Sequence, residues 1–111
     1  MIEHSFDAVS HTLTYKFAGR MDTFVCTEEG PVVDAQLAEA SKLLATDGLP
    51  PSVLKVVFDV RGVNYIASFF IRICLMVAKA VEKGNFSIVN TDPQVKKVFI
   101  IAGLDKMLQV S

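Results

Sequence analysis

The sequence predicts a mixed α/β domain: a β-sheet of about four to five strands, opened by an antiparallel hairpin and flanked by three to four helices. Three observations predict it. Leu13, Tyr15 and Phe17 alternate with Thr12, Thr14 and Lys16, the period of a half-buried strand. Residues 54–60, LKVVFDV, form a near-continuous apolar run rich in valine, as in a strand buried on both faces of a sheet. Around these runs, apolar residues recur every three or four positions, the spacing of helices with one buried stripe.

The elements follow in chain order. Residues 3–20 read as two strands, with Val9-Ser10-His11 as the hairpin turn and Gly19-Arg20-Met21-Asp22 ending the second. Pro31 suits the first turn of a helix, so the first helix is expected over 32–46, with Val33, Leu37, Ala40 and Leu44 inward. Asp34 early and Lys42 late would complement its dipole, and Gly48 would stop it. After the 54–60 strand, residues 68–83 form a second helix closed by Lys83 and Gly84. Its stripe of Ile71, Cys74, Leu75, Ala78 and Val81 is expected to face the sheet, leaving Phe69, Arg72, Met76, Lys79 and Lys83 outward. FSIVN, residues 86–90, is a short strand, and Thr91-Asp92-Pro93 opens a third helix. Val95, Val98, Phe99 and Ala102 are its expected buried residues, with Gly103 as its cap and residues 104–110 returning as helix or edge strand. Strands separated by helices imply parallel neighbours joined by right-handed crossovers.

Composition bounds the function. A chain of 111 residues fits one domain, 1–111, large enough to bury about two-thirds of its unfolded surface. Eleven Lys and Arg against twelve Asp and Glu leave no clustered basic excess for nucleic acid. A hydrophobic content of 51% with 21% charged residues excludes disorder. Cys26 and Cys74 form neither a disulfide framework nor a zinc signature, which suits a reducing cytoplasm. The N-terminus lacks the basic flank and apolar run of a secretion signal. Residues 63–81 are strongly apolar but carry Arg72 in their middle, at a cost of about 2.5–3.5 kcal/mol at a bilayer centre. A cytoplasmic protein without direct membrane insertion is expected.

Chemistry-bearing residues are sparse. Ser68 follows a buried strand and opens a helix, where its hydroxyl is expected to cap the helix. A phosphate there would sit beside free backbone N–H groups and add charge to an apolar surface. Phe69 and Met76 are expected on one outward helical face, a partner surface or a homodimer contact. His4 and His11 read as surface residues at the hairpin, without the spacing of metal ligands. The acidic neighbourhood of Cys26 should raise its thiol pKa, and Cys74 reads as a core residue. Asp22 and Asp59 suit capping or turn roles rather than catalysis. No phosphate-binding glycine motif is present. Neither an enzymatic activity, a metal nor a cofactor is expected.

Three segments resemble STAS domains, the anti-sigma-factor antagonists. GRMD, 19–22, is similar to their Gly-x-Leu-Asp at the end of an early strand; VVFDVRGVNYIASFFIRI, 56–73, to their buried strand and phosphorylation segment; TDPQVKKVFIIAGLDKML, 91–108, to their C-terminal Pro-x-Val and Gly-Leu pattern. The resemblance implies a small mixed sheet flanked by helices, a non-enzymatic domain, and a partner that is an anti-sigma factor and serine kinase. It places the phosphorylated residue at Ser68 and, with the outward helix face, makes Phe69, Arg72, Met76 and Lys79 partner-binding candidates. Two positions depart from the pattern: Ala67 stands where the family has Asp, and Phe70 where it has a small residue. Ser68-Phe69 resembles the scaffold-type members of stress-signalling complexes more than the Ser-Ser-Gly type. They leave a second reading, a constitutive scaffold subunit or the soluble partner of a membrane transport system.

Overall fold

The computed structural model describes residues 2–50 and 53–111. Strand β1, Ile2–Asp7, pairs antiparallel with β2, Thr12–Met21. Helix α1, Thr23–Thr46, leads to β3, Lys55–Ile66; α2, Ser68–Ala80, leads to β4, Phe86–Val89; and α3, Pro93–Ile101, follows. The sheet order is β1-β2-β3-β4, with β3 parallel to both β2 and β4. The expected mixed sheet with its N-terminal hairpin is present, and residues 54–60 lie in its interior. In the turn, the Asp7 carboxylate accepts hydrogen bonds from the Val9 and Ser10 N–H groups.

Only one face of this sheet is covered. Leu13, Tyr15 and Phe17 of β2, Val56, Phe58 and Val60 of β3, and Phe86 and Ile88 of β4 are all buried. The alternate residues Thr14, Val57, Asp59, Ser87 and Val89 are at most partly buried. The expectation of a strand buried on both faces is therefore corrected: valine at 57 reflects strand preference on a half-open face, not full burial. Phe58 is the centre of the covered face. Its ring meets Phe17 at 4.7 Å, Phe86 at 4.9 Å and Tyr15 at 5.5 Å between centroids, each close to edge-on, the favoured arrangement of aromatic quadrupoles. The Tyr15 hydroxyl donates to the Val33 carbonyl at 3.2 Å, which satisfies a buried polar group and fixes α1 over β2.

Helix α1 starts a full two turns earlier than expected. Asp22 is its N-cap and accepts from the Val25 N–H at 3.0 Å, so Pro31 lies inside the helix. Proline there deprives the Thr27 carbonyl of its donor, yet Cys26 and Val33, seven apart, are both buried on one side of it. Burial on both flanks carries the helix through the weak turn. Asp34 and Lys42 accordingly sit away from the helix ends, where no dipole argument applies. Gly48 (φ +74°) ends α1 as expected, with Leu49 N–H returning to the Leu44 carbonyl.

Two other boundaries differ. β3 runs on to Ile66, since Val63 and Ile66 continue the buried row past Gly62. There the strands approach closely, and a Cβ at Gly62 would lie 3.1 Å from Ala18 Cβ. Helix α2 stops at Ala80, leaving Lys83 and Gly84 beyond it. In α3, Asp92 caps and Pro93 opens the helix as expected, but only Val95 and Phe99 are buried in it; Val98 and Ala102 are exposed. Gly103 (φ +74°) closes it. The C-terminal tail returns beside β4 through a single parallel bridge, Ile88 to Val110.

Truncating Phe58→Ala should cost about 3–5 kcal/mol, because it empties the centre of the aromatic cluster. Urea unfolding of the variant measures it; a loss under 1.5 kcal/mol would mean that the cluster rearranges to fill the space.

Candidate functional site

One end of the sheet gathers two strand ends and two helix starts. β2 and β3 both finish there, at Met21 and Ile66, and α1 and α2 start immediately afterwards. The Ala67 N–H donates to the Met21 carbonyl at 2.9 Å, which ties the start of α2 to the end of β2. The Arg20 guanidinium lies 4.1 Å from the centroid of the Tyr65 ring, a cation–π contact between the same two strands.

Ser68 is the first residue of α2 and is exposed. It is not the N-cap that its sequence context suggests. Ala67 takes that position, with extended backbone (φ −91°, ψ 165°) and no side-chain hydrogen bond. Burial of Ile66 holds the chain in the strand to that residue, so the turn from strand to helix falls on Ala67. The Ser68 hydroxyl is therefore not engaged in capping. It stands beside the first-turn N–H groups of α2, which have no partners within the helix.

The rotation of α2 differs from expectation and decides the rest of the site. Its buried residues are Phe70, Ile73, Cys74 and Val77; of the expected stripe only Cys74 and, just beyond the helix, Val81 are buried. Ile71, Leu75 and Ala78 are half-buried on its flank. Phe70 packs edge-on against Phe17, 5.3 Å between centroids, and burying this large ring turns the helix about its axis. Phe69 then falls at the margin, half-buried, with the Arg72 guanidinium 5.5 Å from its ring centroid. Met76 is 38% exposed.

Phe69, Arg72 and Met76 line one groove of about 310 Å³ between α2 and α1, whose other wall is Gly30, Pro31 and Asp34. Lys79 does not join them. It lines a second cavity, of about 350 Å³, with Lys83, Phe86 and Met107. Sequence reasoning missed the α1 wall, because Gly30-Pro31 reads as the approach to a helix rather than its interior. A Cβ at Gly30 would meet Ile73 Cδ1 at 3.5 Å, an ordinary contact. Packing does not require this glycine; its effect is to keep the groove open. Phe24, 73% exposed in the first turn of α1, was also missed.

The remaining candidates take structural roles. Asp59 accepts from the Arg61 N–H and the Asn90 amide, both at 3.1 Å; it lies within β3 rather than at its end. His4 lies exposed on β1, as expected at the hairpin, with its Nδ1 2.8 Å from Gln36 Nε2 of α1. His11 takes the turn, at φ +55°. Burial pushes the Cys26 thiol up from 9.0 to about 11, with Asp22 adding to the effect; the acid is Asp22, not the neighbouring glutamates. Cys74, also buried, is pushed well above 9.0 by burial and by Cys26. Among the described residues, no group of three or more His, Cys, Asp or Glu converges on a metal-sized site. No helix among them is long and apolar enough to cross a membrane.

Comparison with known proteins bears on the fold. No family model matches the sequence, and no curated protein matches it. The fold is similar to that of the anti-sigma factor antagonist SpoIIAA in its unphosphorylated form, with a TM-score of 0.57 at 11% identity over 91% of this chain and 83% of that one. It is similar too to the Bacillus cell fate determinant SpoIIAA in the phosphorylated form, with a TM-score of 0.59 at 12% identity over 100% of this chain and 91% of that one. The chain has a STAS-like fold, that of an anti-sigma-factor antagonist.

Two outcomes test this geometry. Phe70→Ala should cost about 3–5 kcal/mol in urea unfolding, whereas Met76→Gln should stay within about 0.5 kcal/mol. The two thiols hold their protons in the folded chain at pH values where the unfolded chain releases them. Stability is therefore full below the unfolded thiol pKa, about 8.5, and falls as pH rises from there through about 11. Melting temperatures measured along that range should decline, and Cys26→Ala should flatten the decline.

Proposed function

We propose that the protein is a non-enzymatic regulatory domain that acts as an anti-sigma-factor antagonist. It binds an anti-sigma factor that is also a serine kinase, in the cytoplasm, and phosphorylation of Ser68 switches the complex. The observation that carries this reading is the exposed, uncapped Ser68 at the entrance of α2, next to the apolar groove between α1 and α2. The likeness of the fold to an antagonist described in both phosphorylated and unphosphorylated forms supports it.

The physical logic is desolvation. Phe69, Met76 and the floor of the groove form a surface whose burial against a partner contributes about 1.5–3 kcal/mol per large side chain before association costs. Arg72, held over Phe69, puts a positive charge on one wall of the groove, opposite Asp34 on the other. A phosphate on Ser68 adds about −1.5 to −2 charges, stabilised by the helix N-terminus in the free protein. Covering that phosphate with an apolar partner surface is costly, so the modified protein releases its partner.

A second reading has an observation of its own. Ala67 brings no carboxylate to the start of α2 and makes no side-chain hydrogen bond. A domain without that acid fits a constitutive binding module, a scaffold subunit or the soluble partner of a transport system, or a homodimer closed over the same groove.

Incubation with an anti-sigma-factor serine kinase from the same genome and ATP separates these readings by mass spectrometry. The switch predicts a single phosphate on Ser68, absent in Ser68→Ala. Calorimetry against the same kinase should find Ser68→Ala binding as the parent does and Ser68→Asp at least about tenfold weaker. Equal affinity of both variants would remove Ser68 from the mechanism and favour the constitutive module.

A further inference from the structure

The outward face of α3 is apolar where a solvent-exposed helix face is ordinarily charged. Val95 and Phe99 turn into the core, so helical spacing places Lys97, Ile100 and Ile101 together on the opposite face. Ile101 is 80% exposed. Ile100, Val98 and, beyond the turn at Gly103, Met107 are exposed as well. The charges interspersed with them are mainly positive: Lys96, Lys97 and Lys106 stand against Asp105, the single carboxylate between residues 94 and 107, with Asp92 at the helix cap.

We infer that this face adsorbs to the surface of an anionic lipid bilayer, as a peripheral contact and not a spanning segment. The charges argue against a second copy of the chain. A two-fold contact centred on Ile101 would set the lysines of one copy against the same lysines of the other. Lys97 argues against a rigid apolar pocket on another protein. It shares a face with Ile100 and Ile101, so a pocket enclosing both isoleucines would also strip water from its ammonium group. At a lipid interface that conflict disappears. The isoleucines enter the acyl boundary, the methylene stem of Lys97 lies along it, and the ammonium reaches the phosphate level. Lys96 and Lys106 add attraction to the negative surface. None of these residues belongs to the Ser68 surface, so the inference stands independently of the proposed function.

Vesicle co-sedimentation of the full chain tests it, with phosphatidylcholine vesicles compared against phosphatidylcholine–phosphatidylglycerol vesicles. The chain should pellet with the anionic vesicles at low salt, not with the neutral ones, and should be released as salt screens the attraction. Ile101→Asp, at a solvent-exposed position, should keep the parent's melting temperature and bind at least about tenfold more weakly. Lys97→Gln should bind about fivefold more weakly. Equal pelleting of parent and Ile101→Asp, or no pelleting with either vesicle, overturns the inference. A concentration-dependent dimer in sedimentation velocity that Ile101→Asp abolishes would also overturn it and assign the face to a second copy.

Discussion

The structure depends on one constraint: the sheet has a single covered face, and Phe58 must be enclosed on it. Tyr15 and Phe17 from β2, Phe86 from β4 and Phe70 from α2 meet around that ring. Edge-on aromatic contacts are specific in geometry as well as apolar. Satisfying several of them at once leaves little freedom in the β2–β3 register or in the rotation of α2. With the opposite face half-open, the fold has no second core to compensate for a fault in the first.

The site follows from that enclosure. Once Phe70 is committed to the cluster, helical spacing sends Phe69 to the edge and Ser68 to the solvent. Burial of Ile66 keeps β3 extended to the last residue before the helix, so Ala67 absorbs the turn and the serine is left uncapped. The same rotation opens α2 toward α1, where Gly30-Pro31 supplies a low wall instead of a filled one. That dipeptide weakens the helix, since glycine and proline are its poorest formers. A Cβ at position 30 would make only ordinary contacts with Ile73 and Phe69. Local rules broken without a packing need tend to mark functional positions.

Two surfaces result, with different chemistry. The groove beside Ser68 is concave and apolar, with Arg72 on one wall and Asp34 on the other. The α3 face exposes isoleucines among lysines. The thiols, by contrast, are buried in the core with raised pKa values.

How much of this the sequence determined can be read residue by residue. Alternation at 12–17, the valine-rich run at 54–60 and the stops at Gly48 and Gly103 were legible, because strand period and left-handed glycine caps are local properties. The local run around Ser68 located it at the opening of α2, and helical spacing put Met76 on the outer side. What the sequence could not decide was each choice between two apolar candidates. Pro31 read as a helix start because its lost hydrogen bond is a local cost, whereas burial of Cys26 and Val33 against other elements is not visible locally. The inward stripe of α2 read from Ile71, since isoleucine and phenylalanine are equally apolar by letter. Only the ring space beside Phe17 and Phe58 selects Phe70. Val98 followed the apolar period of α3, but in the fold it is left 39% exposed. Local sequence determines which segments become helix or strand through backbone geometry; the shape of the space left by the other elements decides which of their apolar residues are buried and which are left to meet something else.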